Sequence, residues 1–192
     1  MGLLQPERER RFTLEDLKIV HGPTDPVLRK CVNLAERILE GSGAIIAVKD
    51  SESRRIIIHS LGSVASLRLV NRHIIHAGSL TERVCYENSV IASTIGNEAR
   101  WSPAMPEISG FHAKDFIAAP IHDPANEPIG MLACFSMREK QWREADVEAI
   151  ENLAILVTQR IMLKAALKTV TLMSNDMHGA GSIREIAPVR PH

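Results

Sequence analysis

The side chains best able to bind or react gather in the middle of this sequence. Arg100, Trp101, His112 and Asp115 fall in a stretch that begins near Ser93. A guanidinium, an indole, an imidazole and a carboxylate can together orient a small polar molecule among apolar walls. With His73 and Ser93 they are the expected ligand-binding residues, against a blander reading in which Trp101 is core and Arg100 solvated. His73 and His76 lie three apart on one predicted helix, and His112 could approach from the loop. Three imidazoles can hold a metal. No carboxylate or thiolate stands at ligand spacing beside them, so they read as pocket-edge or solvated histidines and no metal is expected. Cys31, Cys85 and Cys134 are widely separated in apolar surroundings. That is no disulfide framework, and it suits a reducing, cytoplasmic setting.

The sequence has neither a Gly-x-Ser-x-Gly elbow nor a Gly-x-x-x-x-Gly-Lys phosphate loop. Gly41-Ser42-Gly43 leads from a helix into a strand, the wrong direction for dinucleotide binding. No catalytic residue emerges, a non-enzyme is expected, and no motif names a cofactor. The 23 basic and 23 acidic residues cancel, which leaves no electrostatic footprint for nucleic acid or an anionic membrane. Residues 1–11 are charged rather than apolar, Pro6 stands where myristoylation favours Ser or Thr, and no apolar run is long enough to span a bilayer.

These groups must be positioned by a sizeable core, since 45% of the 192 residues are hydrophobic. The length suits one domain with extra segments at its ends. Thr13-Leu14-Glu15-Asp16 opens a short helix to about Val20. Asp25 caps a second, with Pro26 at its first position and Leu28, Cys31, Val32, Ala35, Ile38 and Leu39 at helical spacing. Ala44–Lys49 and Arg54–Leu61 read as a hairpin. Leu67, Val70, Ile74 and Ile75 mark a helix ending near Gly78; a short helix follows at Leu80–Tyr86 and a strand at Ser89–Ser93. Thr94–Lys114 reads as a long irregular loop, and a loop of that length is usually functional. Phe116–Ile121 and Ile129–Phe135 are strands, Gln141 to about Met173 is the longest helix, and Ser174–His192 is expected to be disordered. The resulting division is 1–24 as an extension, 25–163 as the domain, and 164–192 as helix end and tail. Closely spaced strand pairs imply an antiparallel sheet covered by helices, an α+β fold.

The second half carries a family resemblance. Phe116-Ile117-Ala118-Ala119-Pro120-Ile121, a turn, Pro128-Ile129-Gly130-Met131-Leu132, and then Trp142-Arg143-Glu144-Ala145-Asp146 entering a helix together resemble the GAF domain pattern. Asp25–Glu40 is similar to that family's first long helix, and Thr81–Ile91 to its short helix and following strand. The resemblance covers about residues 25–163. It implies a central antiparallel sheet with a ligand pocket on one face, here between Leu67–His76 and Ser93–Asp115. It also implies terminal helices on the other face, often forming a dimer.

Other chemistries of the same fold match less well. Val84-Cys85 resembles the first cysteine motif of free methionine sulfoxide reductase, but Ile108-Ser109-Gly110-Phe111-His112 holds no cysteine where that enzyme's essential one is expected. Cys85 is followed by Tyr86 rather than by the His common at bilin attachment sites. For cyclic nucleotides, Ser136-Met137 replaces the family's Asn-Lys, and Val147 its final Glu. Two stripes run along the last helix: Val147, Ile150, Ala154, Val157 and Ile161; and Ala149, Leu153, Leu156, Leu163, Leu167 and Val170, interrupted by Arg160. One stripe can cover the sheet, and the other has coiled-coil spacing. The expectation is a homodimeric sensory module that binds a small molecule and signals to a partner such as a kinase or regulator. The rivals are a thiol redox enzyme and a dimerisation scaffold whose pocket has collapsed.

Overall fold

A computed structural model describes residues 25–50, 55–61, 68–69, 79–94, 108–109 and 113–180. The first helix, α1 (Pro26–Ile38), begins where Asp25 accepts hydrogen bonds from the amides of Val27 (2.9 Å) and Leu28 (3.4 Å). Such a cap satisfies donors that the first helical turn leaves unpaired, and Pro26 has no amide proton to lose there. Leu28, Cys31, Val32 and Ala35 form the buried stripe.

Strand β1 (Gly43–Asp50) pairs antiparallel with β2 (Arg55–Leu61), as a hairpin should. Then come β3 (Arg68–Leu69), α2 (Leu80–Glu87), β4 (Ile91–Thr94), β5 (Ile108–Ser109), β6 (Asp115–His122), β7 (Pro128–Ser136) and α3 (Glu144–Ala180). The main sheet has the order β2-β1-β7-β6-β4, and the pairings within it are antiparallel. Gly130 lets the two central strands approach closely: a Cβ there would lie 2.2 Å from the Ala47 carbonyl oxygen.

Alternation along these strands divides the core in two. Ala44, Ile46, Val48, Ile117, Ala119, Ile121, Leu132 and Cys134 face α1 and α3, which contribute Leu28, Val32, Ile150, Val157 and Ile161. Ile45, Ala47, Phe116, Ala118, Met131, Ala133 and Phe135 occupy the other face, with Leu80 and Val84 of α2 packed on them.

Several boundaries differ from the sequence reading. Arg68–Leu69, expected to begin a helix, instead pairs with Ile108–Ser109 inside the expected loop. The rest of the predicted helix, residues 70–78, lies outside the described residues, as do the predicted helix 13–20 and tail residues 181–192. Strand β4 starts two residues later than expected, because Asn88 ends α2 in the left-handed region (φ 48°) and the turn uses the next positions. Helix α3 starts three residues late. There the Arg143 amide donates to the Asp146 carboxylate (2.8 Å), the return half of a capping box. It also continues through Ser174–Ala180, where disorder was expected; Ser174, Asn175 and Asp176 are weak helix formers, but none is a breaker.

Candidate functional site

The face on which the sequence reading places a ligand has an apolar floor. Phe116 and Phe135 are fully buried beside Ile45 and Met131, and α2 lies over part of this floor. Helix α2 is set by Ser79, whose hydroxyl accepts from the Glu82 amide (3.2 Å). Strand β4 closes the edge, with Ser93 in register with Phe116 and Thr94 with Asp115. The two ends of the intervening segment are therefore held side by side on β4 and β6.

Of the expected ligand residues, Ser93 belongs to β4 and pairs with a residue of this floor. Asp115 does not face it. It shares strand parity with Ile117 and Ala119, which point toward the terminal helices, and its carboxylate accepts a hydrogen bond from the backbone amide of Lys140. Its place one residue before Phe116 puts it on the opposite side of the sheet, a parity that a loop assignment ending at Lys114 could not register. His73, Arg100, Trp101 and His112 lie outside the described residues.

All three thiols are buried and free. Cys85 lies on α2, and its Sγ approaches the Gly130 carbonyl at 3.7 Å; burial pushes its pKa up to about 11. Cys134, on the other sheet face, contacts the Ala35 carbonyl at 3.9 Å, and burial raises it to about 12. Cys31 is also raised, by burial first and then by the charge of Asp25. The thiolate is the reactive form, so these are packing residues at neutral pH. Cys85 is separated from the other two by the sheet.

Asp25, a helix cap by its sequence position, and Arg160, an interruption of an apolar stripe, meet in the fold, a contact that spacing alone does not reveal. The Asp25 carboxylate receives Arg160 Nη2 at 3.0 Å, Arg160 Nε at 3.1 Å and Lys164 Nζ at 3.0 Å. Burial raises its pKa, but the two cations and the helix amide outweigh that and hold the carboxyl well below the usual range. A lone Arg inside an aliphatic stripe was the available signal. A groove of about 620 Å³ also lies on the helix face, between β6 and α3. The His122 amide bridges it to Thr158 Oγ1 at 3.1 Å, and the His122 ring meets Asn88 Oδ1 at 2.7 Å.

The sheet order, the two-sided core and the helix positions define an α+β fold, an antiparallel sheet between helices, and the sequence pattern identifies the family. The GAF domain pattern matches residues 23–161, and the chain belongs to the GAF domain family. No curated protein matches it. Among solved structures it is similar to the GAF domain of an Acinetobacter phosphoenolpyruvate-protein phosphotransferase, with TM-score 0.58 and 12% identity over 81% of this chain and 92% of that one. It is also similar to the GAF domain of a two-component sensor histidine kinase from Bacillus halodurans (TM-score 0.56, 14% identity, 79% and 99% covered). Free methionine-R-sulfoxide reductase from Neisseria meningitidis, solved with its substrate, shares the fold as well (TM-score 0.56, 16% identity, 78% and 86% covered).

Proposed function

We propose that this GAF domain is a non-catalytic, cytoplasmic sensor that binds a small molecule on the α2 face of its sheet and relays the event through α1 and α3. The observation that carries this reading is the pairing of an apolar, aromatic floor on one face with an exposed aliphatic stripe along a 37-residue helix on the other. Leu156, Leu163, Leu167 and Val170 are each about half exposed or more, and Val27, Leu34 and Ile38 of α1 are similarly open. Surface of that kind favours a second copy of the chain, whose parallel pairing would convert a pocket event into a change of helix geometry. A kinase or another regulator is the proposed recipient.

Kinship with a histidine kinase's GAF domain supports a signalling setting. Kinship with a methionine sulfoxide reductase raises the enzyme alternative, against which the three buried, protonated thiols speak. Trp101, Ser93, His73, Arg100 and His112 are the proposed ligand-binding residues. A thermal-shift screen with cyclic nucleotides, amino acids, nitrate, haem and tetrapyrroles tests this. A compound that raises Tm should bind more weakly to Trp101→Ala by roughly 1–3 kcal/mol, the scale of a lost buried aromatic contact. Ligand density confined to the terminal helices would refute the placement.

A further inference from the structure

Asp115 is expected to touch ligand, yet it lies on the helix side of the sheet. Its neighbours give it a different task. It is the first residue of β6, directly after the segment that the proposed function assigns to the ligand, and it pairs in register with Thr94 at that segment's other end. On its second flank it is in register with Ser136, the last residue of β7, and the Lys114 amide donates to the Ser136 carbonyl at 2.7 Å. The Asp115 side chain then crosses to the β7–α3 connection and accepts from the Lys140 amide. The Lys140 ammonium donates to the carbonyl of Leu39, the residue that ends α1, and lies 4.7 Å from the Trp142 ring centre.

The two acceptor residues, Asp115 and Leu39, are fully buried, while Lys140 is half-buried, so both bonds are part-buried. Hydrogen bonds to a carboxylate or from an ammonium are stronger than neutral ones, so the loss of either link should be felt. The start of β6, the connection leading into α3 and the end of α1 therefore share one residue, Lys140, held from one side by Asp115.

We infer that Asp115 and Lys140 are the positioning pair that couples the paired ends of β4 and β6, at Thr94 and Asp115, to the terminal helices. The inference rests on the proposed ligand site for its biological meaning, but the coupling itself can be measured without a ligand. The surrounding contacts give α1 a second tie at its other end, through Asp25 to Arg160 and Lys164. A displacement at Lys140 would thus pivot α1 about Asp25 rather than release it.

The test is residue-resolved amide hydrogen exchange on the intact protein and three variants. Asp115→Ala should speed exchange in β4 and at the start of β6. It should also speed exchange in the last turn of α1, near Leu39, by roughly 10-fold or more, the scale of one lost charge-assisted hydrogen bond. Lys140→Met should reproduce the effect in the reverse direction, with faster exchange at Thr94 and Phe116. Arg138→Ala, an exposed position in the same connection, should change neither. If Asp115→Ala does not fold, Asp115→Asn, which keeps the shape and weakens the acceptor, should give the same pattern at smaller amplitude. Faster exchange confined to β4 and β6, with the end of α1 protected as in the wild type, would overturn the coupling. Because no ligand is present, that failure differs from failure of the ligand screen, which would count against the site and leave the coupling intact.

Discussion

The two faces of the sheet are built on different principles. The α2 face is held mainly by shape: Phe116, Phe135, Ile45 and Met131 meet Leu80 and Val84, and the polar groups buried on α2 (Ser79, Thr81 and the thiol of Cys85) are uncharged. The helix face is also packed with aliphatics but adds three buried carboxylates, Asp25, Asp115 and Asp146. Each of the three fixes one end of a helix or of a connection. Asp25 ties the start of α1 to the middle of α3, Asp115 holds Lys140, and Asp146 holds Arg143 at the start of α3. Apolar contacts set how tightly elements pack, whereas these charged groups set where along its length each helix sits. A face that must hold its helices in register, and possess a defined alternative register, benefits from the second kind of contact.

The contrast predicts different responses to mutation and to pH. The largest effect is expected from Phe135→Ala. It removes a fully buried ring and should cost about 3–5 kcal/mol in urea unfolding, with little dependence on pH between neutrality and mild acid. Asp25→Ala comes next, at about 2–4 kcal/mol, because it removes a helix cap and leaves Arg160 and Lys164 without their shared partner. This loss should depend on pH. The carboxyl of Asp25 is held below its ordinary value, so its contribution is complete above the unfolded value of about 4 and disappears as the pH falls toward the folded one. Asp146, also lowered, acts in the same sense. Wild-type stability should therefore fall below about pH 4, and Asp25→Asn should lose part of that acid dependence. An Asp25 variant whose acid profile parallels the wild type would remove the distinction between the faces.

The smallest effect concerns thiol chemistry. With a pKa near 11, only about one Cys85 molecule in ten thousand is thiolate at pH 7. Native protein should react with a disulfide reagent far more slowly than unfolded protein, and replacing Cys31, Cys85 and Cys134 together by Ser or Ala should leave ligand binding unchanged. Rapid labelling of Cys85 in the native state would reopen the redox reading.

The sequence made the helix face legible because its periodicity is long and regular. Of the stripe Val147, Ile150, Ala154, Val157 and Ile161, the last four are buried against the sheet and Val147 is half-buried beside them. The second stripe was drawn too wide. Leu153 is buried at 5% exposure, and Ala149 packs half-buried against the same core, because the buried arc extends past Val157 by roughly 40° to Leu153 and by about as much again to Ala149, at about 100° per residue. The outward stripe therefore begins at Leu156. Strand positions were found where apolar runs were bounded by turns, as in β6 and β7. The two-residue strands β3 and β5 were not, because a pairing that short leaves no period to detect. The site was the least legible part. Asp115 looked like a loop carboxylate because a composition argument cannot assign strand parity, and parity alone decides which face it serves. The Asp25–Arg160 contact joins residues 135 apart, a separation at which spacing carries no information.

The measurement that bears most directly on the relay is the sedimentation of the intact chain at tens of micromolar. The exposed aliphatics of α3, a helix about 55 Å long at roughly 1.5 Å per residue, require a partner if they are the output surface. The wild type is predicted to sediment as a dimer. Leu163→Glu combined with Leu167→Glu, which places like charges at the seam, is predicted to give a folded monomer with unchanged helical content. A wild-type protein that sediments as a monomer at those concentrations would contradict the account.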